Sequence, residues 1–226
     1  MTAIHPFHPF YRKRNTVKFL VLGATGGTGV RFVEKALDQG HQVTALVRRP
    51  DATVDLRAQI VNGDVTDAAT LAAAARGHDA IISTLGVKSV RETPTLITDT
   101  VRAVIASAKT SGVDRFVIVS AFGVGDSLAK ASLLAGLIFR TALRKKYEDK
   151  AASEALLKAS GLKWTVEYPG ALNDGVGGRY TAIALEDVTT LPILPSTSRA
   201  NAADFLLRSA VENTFVHQTV VVTNTK

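Results

Sequence analysis

The sequence predicts an α/β protein organised around one doubly wound parallel sheet, and three observations carry that expectation. Short apolar runs alternate with longer amphipathic segments through the first 170 residues, the rhythm of strands joined by crossover helices. The first strand is joined to the first helix by a glycine turn, GATGGTG at residues 23–29. No internal repeat or low-complexity linker interrupts the chain, and 226 residues suffice for one substantial core but are short for two.

Residues 17–22 (VKFLVL) read as a buried strand. Gly23, Gly26 and Gly29 follow, and a helix begins with Val30, Val33, Ala36 and Leu37 on one face. Strand, glycine turn and helix make a pocket for a diphosphate. Gly23 permits the tight turn, Gly26 lets the backbone approach an anion, and Gly29 lets helix and strand pack closely. The helix start adds unpaired N–H groups and roughly half a positive charge. The spacing is G-x-x-G-x-x-G, not the G-x-G-x-x-G of many dehydrogenases.

A second strand, 42–47, ends at Arg48 and Arg49, 19 and 20 positions beyond Gly29, where a dinucleotide site places its ribose-reading residue. An acidic residue there holds the 2′-hydroxyl of NAD. Two arginines instead offer forked donors to a 2′-phosphate, which points to NADP(H). The plainer alternative is a solvated basic turn, partly neutralised by Asp51. A third strand, 58–61, leads into GDVTD, where Asp64 is placed to accept from an adenine amino group and Val65 to pack on its ring. Asp67 is expected to cap a helix at 68–76. A fourth strand, 80–83, is followed by Leu85 and Gly86, and a helix spans 95–111 with Ile97, Val101, Val104, Ile105 and Ala108 as its buried stripe.

The fifth strand, 113–120, ends in the hydroxyl of Ser120, and a loop with Gly123 and Gly125 follows. Residues 128–159 read as helical with a break near Gly136. A sixth strand, 164–167, precedes Tyr168-Pro169-Gly170. A short strand at 189–193, a helix at 200–211 and a last strand at 219–223 complete the chain.

The chain contains no cysteine, which excludes disulfides and thiolate metal sites. Its net charge of +7 suits nucleic acid, a membrane surface or an anionic small molecule. The basic residues are dispersed, with small clusters at 12–14, 48–49 and 144–146, so an anionic cofactor is favoured and neither nucleic acid nor membrane is expected as a partner. The most apolar stretch, 131–143, is too short to span a bilayer. Residues 1–16 lack the pattern of a secretory signal and read as a flexible tail, so a cytoplasmic protein is expected.

Ser120, Tyr147 and Lys150 form the group that looks catalytic. A carbonyl receiving hydride needs a hydrogen-bond donor at oxygen and a proton source beside it. Serine supplies the first, and a tyrosine whose pKa is lowered by a nearby ammonium supplies the second. Tyr147 and Lys150 lie three apart and share a helix face. The alternative is a charged surface helix with Ser120 as a satisfied strand end.

At this point the chain resembles the atypical short-chain dehydrogenase/reductase superfamily, and within it the small NAD(P)-binding proteins related to biliverdin-IXβ reductase, a flavin reductase. The matching segments are GATGGTG (23–29), LVRRP (46–50), GDVTD (63–67), VSAFGVG (119–125), Lys150 through SGLKWTVEYPGAL (160–172), and TSRANAADFLLR (197–208). The resemblance implies a Rossmann-like fold. It implies that Gly23, Thr25, Gly26, Gly27, Thr28 and Gly29 hold the diphosphate, that Arg48 and Arg49 hold the 2′-phosphate, and that Asp64 and Val65 hold adenine. Leu85 and Gly86 would then flank the nicotinamide half, with Ser120 beside the ring, Lys150 on its ribose, and Pro169, Gly170 and Ala171 closing over it. Two departures bear on the reaction. Typical short-chain dehydrogenases carry their tyrosine four residues before the lysine, where Lys146 stands, and Tyr147 is about 100° further round the helix. The flavin reductase branch has a histidine where Gly170 stands, and the more usual Arg-Pro-Gly is here Tyr168-Pro169-Gly170.

The expected activity is NADPH-dependent hydride transfer to a small conjugated acceptor such as a flavin or quinone, by a monomer or homodimer. With about 55 residues after Gly170, little chain is left for a substrate lid. The competing expectation is an NADP(H)-binding regulator or scaffold without turnover.

Overall fold

A computed structural model describes residues 16–86, 94–122, 124, 144–189 and 195–225, with only the main chain at 144–147. The first 170 residues supply six parallel strands: β1 (Lys18–Leu22), β2 (Gln42–Val47), β3 (Gln59–Asn62), β4 (Ala80–Ser83), β5 (Arg115–Val119) and β6 (Lys163–Pro169). Helices α1 (Gly27–Asp38), α2 (Ala68–Ala75), α3 (Leu96–Ser111) and α4 (Arg144–Lys158) alternate with them. The remainder contains β7 (Ala171–Asn173), β8 (Tyr180–Ala184), β9 (Ser196–Ser198), α5 (Arg199–Glu212) and β10 (Gln218–Asn224).

The main sheet runs β3-β2-β1-β4-β5-β6-β10-β8. All its pairs are parallel except β10 with β8. The expected wholly parallel sheet therefore acquires one antiparallel edge strand. β7 and β9 form a separate parallel pair of three residues each. Because the strand order reverses between β1 and β4, their carboxyl ends flank the crevice in which open α/β sheets bind ligands.

The core lies in two layers. One packs α2, α3 and α4 on the sheet through residues such as Leu71, Val101 and Leu157, and the other packs α1 and α5 through Phe32, Val33, Leu206 and Leu207. The expected face of α1 needs correction: Val30 is 37 % exposed, whereas Phe32 is fully buried beside Phe19. The buried face of α1 is the one that meets Leu206 and Leu207 of α5, centred on Phe32, Val33 and Ala36. The strands and helices otherwise agree with expectation to within one or two residues at most ends. The exceptions are at β6, which continues through Tyr168 and Pro169, and in the small strands β7, β8 and β9, which the pattern does not reveal. The N-terminal tail, the helix break near Gly136, Gly123 and Gly125, and most of the strand expected at 189–193 lie outside the described residues.

Polar groups inside the core are used to tie elements together. Asp149, 7 % exposed on α4, accepts from Ile97 N and Thr98 N at 3.0 Å each and so closes the start of α3. Arg115, 3 % exposed, donates to the Lys163, Ser209 and Thr214 carbonyls and pins α5 to β5 and β6. Desolvation of this guanidinium lowers its pKa to about 10. Glu167 is different. It points toward the α1/α5 layer beside Val119 and Val220, is fully buried, and neither carboxyl oxygen meets a donor among the described residues. Burial pushes its pKa well above the ordinary glutamate range, with the Lys150 charge only partly offsetting this.

Two outcomes follow from these buried carboxyls. Asp149→Ala leaves two α3 N–H groups without their acceptor and should cost about 2 kcal/mol, read as a lower urea midpoint at unchanged slope. For Glu167 the folded protein holds a proton that the unfolded chain releases, so stability falls as pH rises from the ordinary glutamate range toward the raised value. Glu167→Gln removes that ionisation and should be more stable than the parent at about pH 8, with the difference shrinking by about pH 5.

Candidate functional site

The crevice between β1 and β4 is built by a turn in which side chains do not fit. Gly23 adopts φ +88°, a conformation that favours glycine, and its N–H-to-carbonyl turn closes with Gly26 N on Gly23 O at 3.0 Å. A Cβ on Gly29 would strike Gly23 O, and it would also stand 2.8 Å from Thr84 Oγ1. Thr84, just past β4, donates to Gly23 O at 3.0 Å and so ties the turn to the neighbouring strand end. Thr84 was not among the expected site residues; it sits in the Thr84-Leu85-Gly86 segment, but only the folded sheet brings it to the glycine turn.

The start of α1 differs from the other helix starts described. Asp67 accepts from Ala69 N and Thr70 N at α2, as expected; Asp149 serves α3; and Ser198 accepts from Asn201 N at α5. At α1 the capping position is Gly26, and no side chain caps the helix. The first-turn N–H groups therefore face the crevice without a side-chain acceptor. Two arginines lie beside Gly27. Arg199, the first residue of α5, lies with its Cδ and Nε 2.8 and 2.9 Å from where a Gly27 Cβ would stand. Arg31 donates to Gly27 O at 2.8 Å, and Asp174 bridges the two guanidiniums at 3.0 and 3.1 Å. Sequence reasoning missed Arg199, whose only signal is its place in the TSRANAADFLLR segment.

The remaining expected residues fall along the same carboxyl-end rim. Arg48 and Arg49 are exposed just beyond β2, and Arg49 Nε is 4.0 Å from Asp51, a loose surface pair. Asp64 is exposed but accepts from Thr66 N and Thr66 Oγ1 at 2.8 Å each, a local turn that fixes its carboxylate. Val65 is 4 % exposed and belongs to the core. Leu85 is half-buried and Gly86 exposed. Pro169 is buried, and Gly170 N donates to Thr197 Oγ1 at 2.9 Å. Ala171 N donates to Pro195 O at 2.8 Å, so the 169–171 turn hangs on the β9 segment.

Of the expected catalytic group, the structure brings together Ser120 and the α4 segment bearing Lys150; the side chain of Tyr147 lies outside the described residues. Ser120, 6 % exposed, donates through Oγ to Glu154 Oε1 at 2.5 Å. Tyr168 donates to Glu154 Oε2 at 2.5 Å and also lies 3.1 Å from the Val124 carbonyl. The tyrosine that replaces the superfamily's usual arginine thus meets a buried acid. Burial pushes the Glu154 pKa upward; the two hydroxyls, Lys158 and Lys150 pull the other way without cancelling it. Glu154 was absent from the expected site, although its position one turn after Lys150 puts both on one helix face.

The geometry suits a nicotinamide dinucleotide: a helix start that no side chain caps, glycines where a Cβ would intrude, and arginines beside the glycine turn and just past β2. Among the described residues no cluster of acidic or histidine side chains suits a metal ion, and no helix is long and apolar enough to cross a membrane. Comparison with known proteins gives the same picture. The chain is 29% identical over 205 residues to the photosystem II assembly factor Ycf39 of Cyanophora paradoxa, covering 86% of this chain and 60% of that protein. It is 31% identical over 169 residues to an uncharacterised sugar epimerase, YhfK, of Bacillus subtilis, covering 71% of this chain and 75% of that one. The chain spans about 60% of the length of the first two curated relatives, Ycf39 and a chloroplastic protein of Arabidopsis thaliana. Among solved structures, ChuY, an anaerobillin reductase from Escherichia coli O157:H7, superposes with a TM-score of 0.74 at 29% identity, covering 92% of this chain and 97% of that one. The NAD(P)H-binding family profile matches residues 23–213, and the chain belongs to that family.

Proposed function

We propose that this protein is an NADPH-dependent reductase that passes hydride to a small, flat, conjugated acceptor such as a flavin or quinone, in the cytoplasm. The observation that carries the reading is the start of α1, which no side chain caps while α2, α3 and α5 are each closed by an Asp or Ser. An anionic group satisfies those N–H groups and the local dipole together. Likeness to a reductase, ChuY, supports the direction of the chemistry.

In this reading Gly23, Thr25, Gly26, Gly27, Thr28 and Gly29 hold the diphosphate, assisted by Arg199 and Arg31. Arg48 and Arg49, exposed at the end of β2, take the 2′-phosphate. Asp64 and the Val65 main chain border the adenine, Leu85 and Gly86 the nicotinamide half. Pro169, Gly170 and Ala171 cover the ring, and Lys150 reaches its ribose. The bound dinucleotide supplies the hydride. The protein's task is placement, with Ser120 at the β5 terminus and the 169–171 turn setting the approach of the acceptor.

A second reading, an NADP(H)-binding regulator or scaffold, is favoured by one observation: the Ser120 hydroxyl is already engaged by Glu154. Likeness to an assembly factor points the same way. Turnover separates the two. The reductase should oxidise NADPH when FMN or a quinone is present, followed at the NADPH absorbance; tight NADPH binding with no oxidation by any such acceptor would favour the scaffold.

Calorimetry maps the cofactor contacts. Replacing both Arg48 and Arg49 by Ala should weaken NADPH about ten- to hundredfold while leaving NADH nearly unchanged, because only one of the two carries the phosphate. Arg199→Ala should weaken NADPH and NADH alike, by about fivefold, because both carry the diphosphate. Equal losses for both nucleotides in the Arg48/Arg49 variant would remove the 2′-phosphate assignment.

A further inference from the structure

Hydride transfer leaves a reduced acceptor one proton short. The helix position from which typical short-chain dehydrogenases deliver that proton is Lys146 in this chain. Beside Ser120 stands a carboxyl instead. Glu154 is 4 % exposed, and its two oxygens are each 2.5 Å from a hydroxyl, Ser120 Oγ on one side and Tyr168 Oη on the other. Tyr168 has a second acceptor in the Val124 carbonyl, so its single proton has an alternative when Glu154 is neutral. The cluster sits at the carboxyl ends of β5 and β6, with Ser120 on the strand that neighbours β4 in the sheet.

Resting on the reductase reading, we infer that Glu154 is the site's proton relay, passing a proton through the Ser120 hydroxyl to the acceptor. The step balances. As the acceptor takes up hydride, negative charge develops on its oxygen or nitrogen. The Ser120 Oγ–H bond breaks toward that atom, and Oγ takes the proton from Glu154 Oε1. Glu154 is left as a carboxylate that accepts from both Ser120 and Tyr168, the arrangement with most donors on the charged form. Solvent restores the proton and closes the cycle. While Glu154 is ionised, the Ser120 proton is committed to it and unavailable to a substrate; when Glu154 is neutral, its own O–H points at Oγ and Ser120 is released to donate.

The charges around Glu154 come from a few identifiable groups. Lys150 and Lys158 lie one turn to either side on α4 and oppose the effect of burial without reversing it. Asp149 is turned to the α3 N–H groups, and Glu148 is exposed. On α3, which packs against α4, Asp99 and Arg102 pair with each other, and Lys109 is exposed. On the sheet, Glu167 faces the opposite layer and Arg115 lies at the far end of β5.

Infrared difference spectra of the full chain across pH test the relay acid directly, and NADPH oxidation with FMN tests its use. Of the protonated-carboxyl bands that persist above the ordinary glutamate range, one should vanish in Glu154→Gln and survive in Glu167→Gln, which removes the other buried acid. Tyr168→Phe deletes a donor to the charged form, so both the band's titration and the falling limb of the turnover profile should move to higher pH together. Glu154→Gln should lower turnover about a hundredfold and flatten that limb, with the KM for NADPH unchanged. An ionised Glu154 at all pH values where the protein folds overturns the inference, as does a turnover profile that ignores Glu154→Gln while the reductase activity itself stands. A band that behaves as stated in a protein that oxidises no NADPH with any flavin or quinone refutes the reductase reading, and delivery to an acceptor with it.

Discussion

One steric constraint organises this molecule: the space at Gly29 is already occupied by the Gly23 carbonyl, so α1 can approach β1 only without a side chain there. That closeness determines where the helix begins, and hence where its unsatisfied N–H groups emerge. Thr84 holds the same carbonyl from the neighbouring strand, so the turn is fixed from two sides of the switch point. The sheet order, the two helical layers and the gathering of Arg31 and Arg199 beside Gly27 all converge on this spot. The glycine turn is therefore fixed by the space its neighbours fill as well as by its hydrogen bonds.

At the other end of the crevice the construction is polar. Ser120 is set by the β5–β6 ladder, its main-chain N–H donating to the Glu167 carbonyl at 2.8 Å. Its side chain faces Glu154, and Tyr168 supports Glu154 from behind. Exchanging an arginine for a tyrosine at position 168 changes this cluster in kind. An arginine brings a permanent charge that would hold the acid ionised, whereas a phenol brings a hydrogen bond and leaves burial to determine its protonation.

Much of this was legible in the sequence, for reasons that individual residues make plain. The strands β1, β2, β4 and β5 are apolar because parallel strands are covered on both faces, and their runs stand out without any partner being known. The glycines of the turn and the arginines past β2 declare themselves by spacing from a recognisable strand. β7, β8 and β9 did not, because strands of three to five residues are too short to carry a clear period. Val30 was misassigned because a helical repeat gives the width of an apolar stripe but not its centre, which α5 determines. Thr84, Arg199 and Glu154 were invisible for a common reason: each acts on a group 34 or more residues away or on another element, and no local pattern encodes such a meeting.

The small β7–β9 pair has a consequence for how such a protein diversifies. The turn proposed to lie over the reactive ring is suspended from Pro195 and Thr197, and Thr197 is itself held by the Val222 carbonyl of β10. None of those supports belongs to the glycine turn. Exchanges at those supports can therefore reshape what is admitted to the crevice without touching the glycine turn itself.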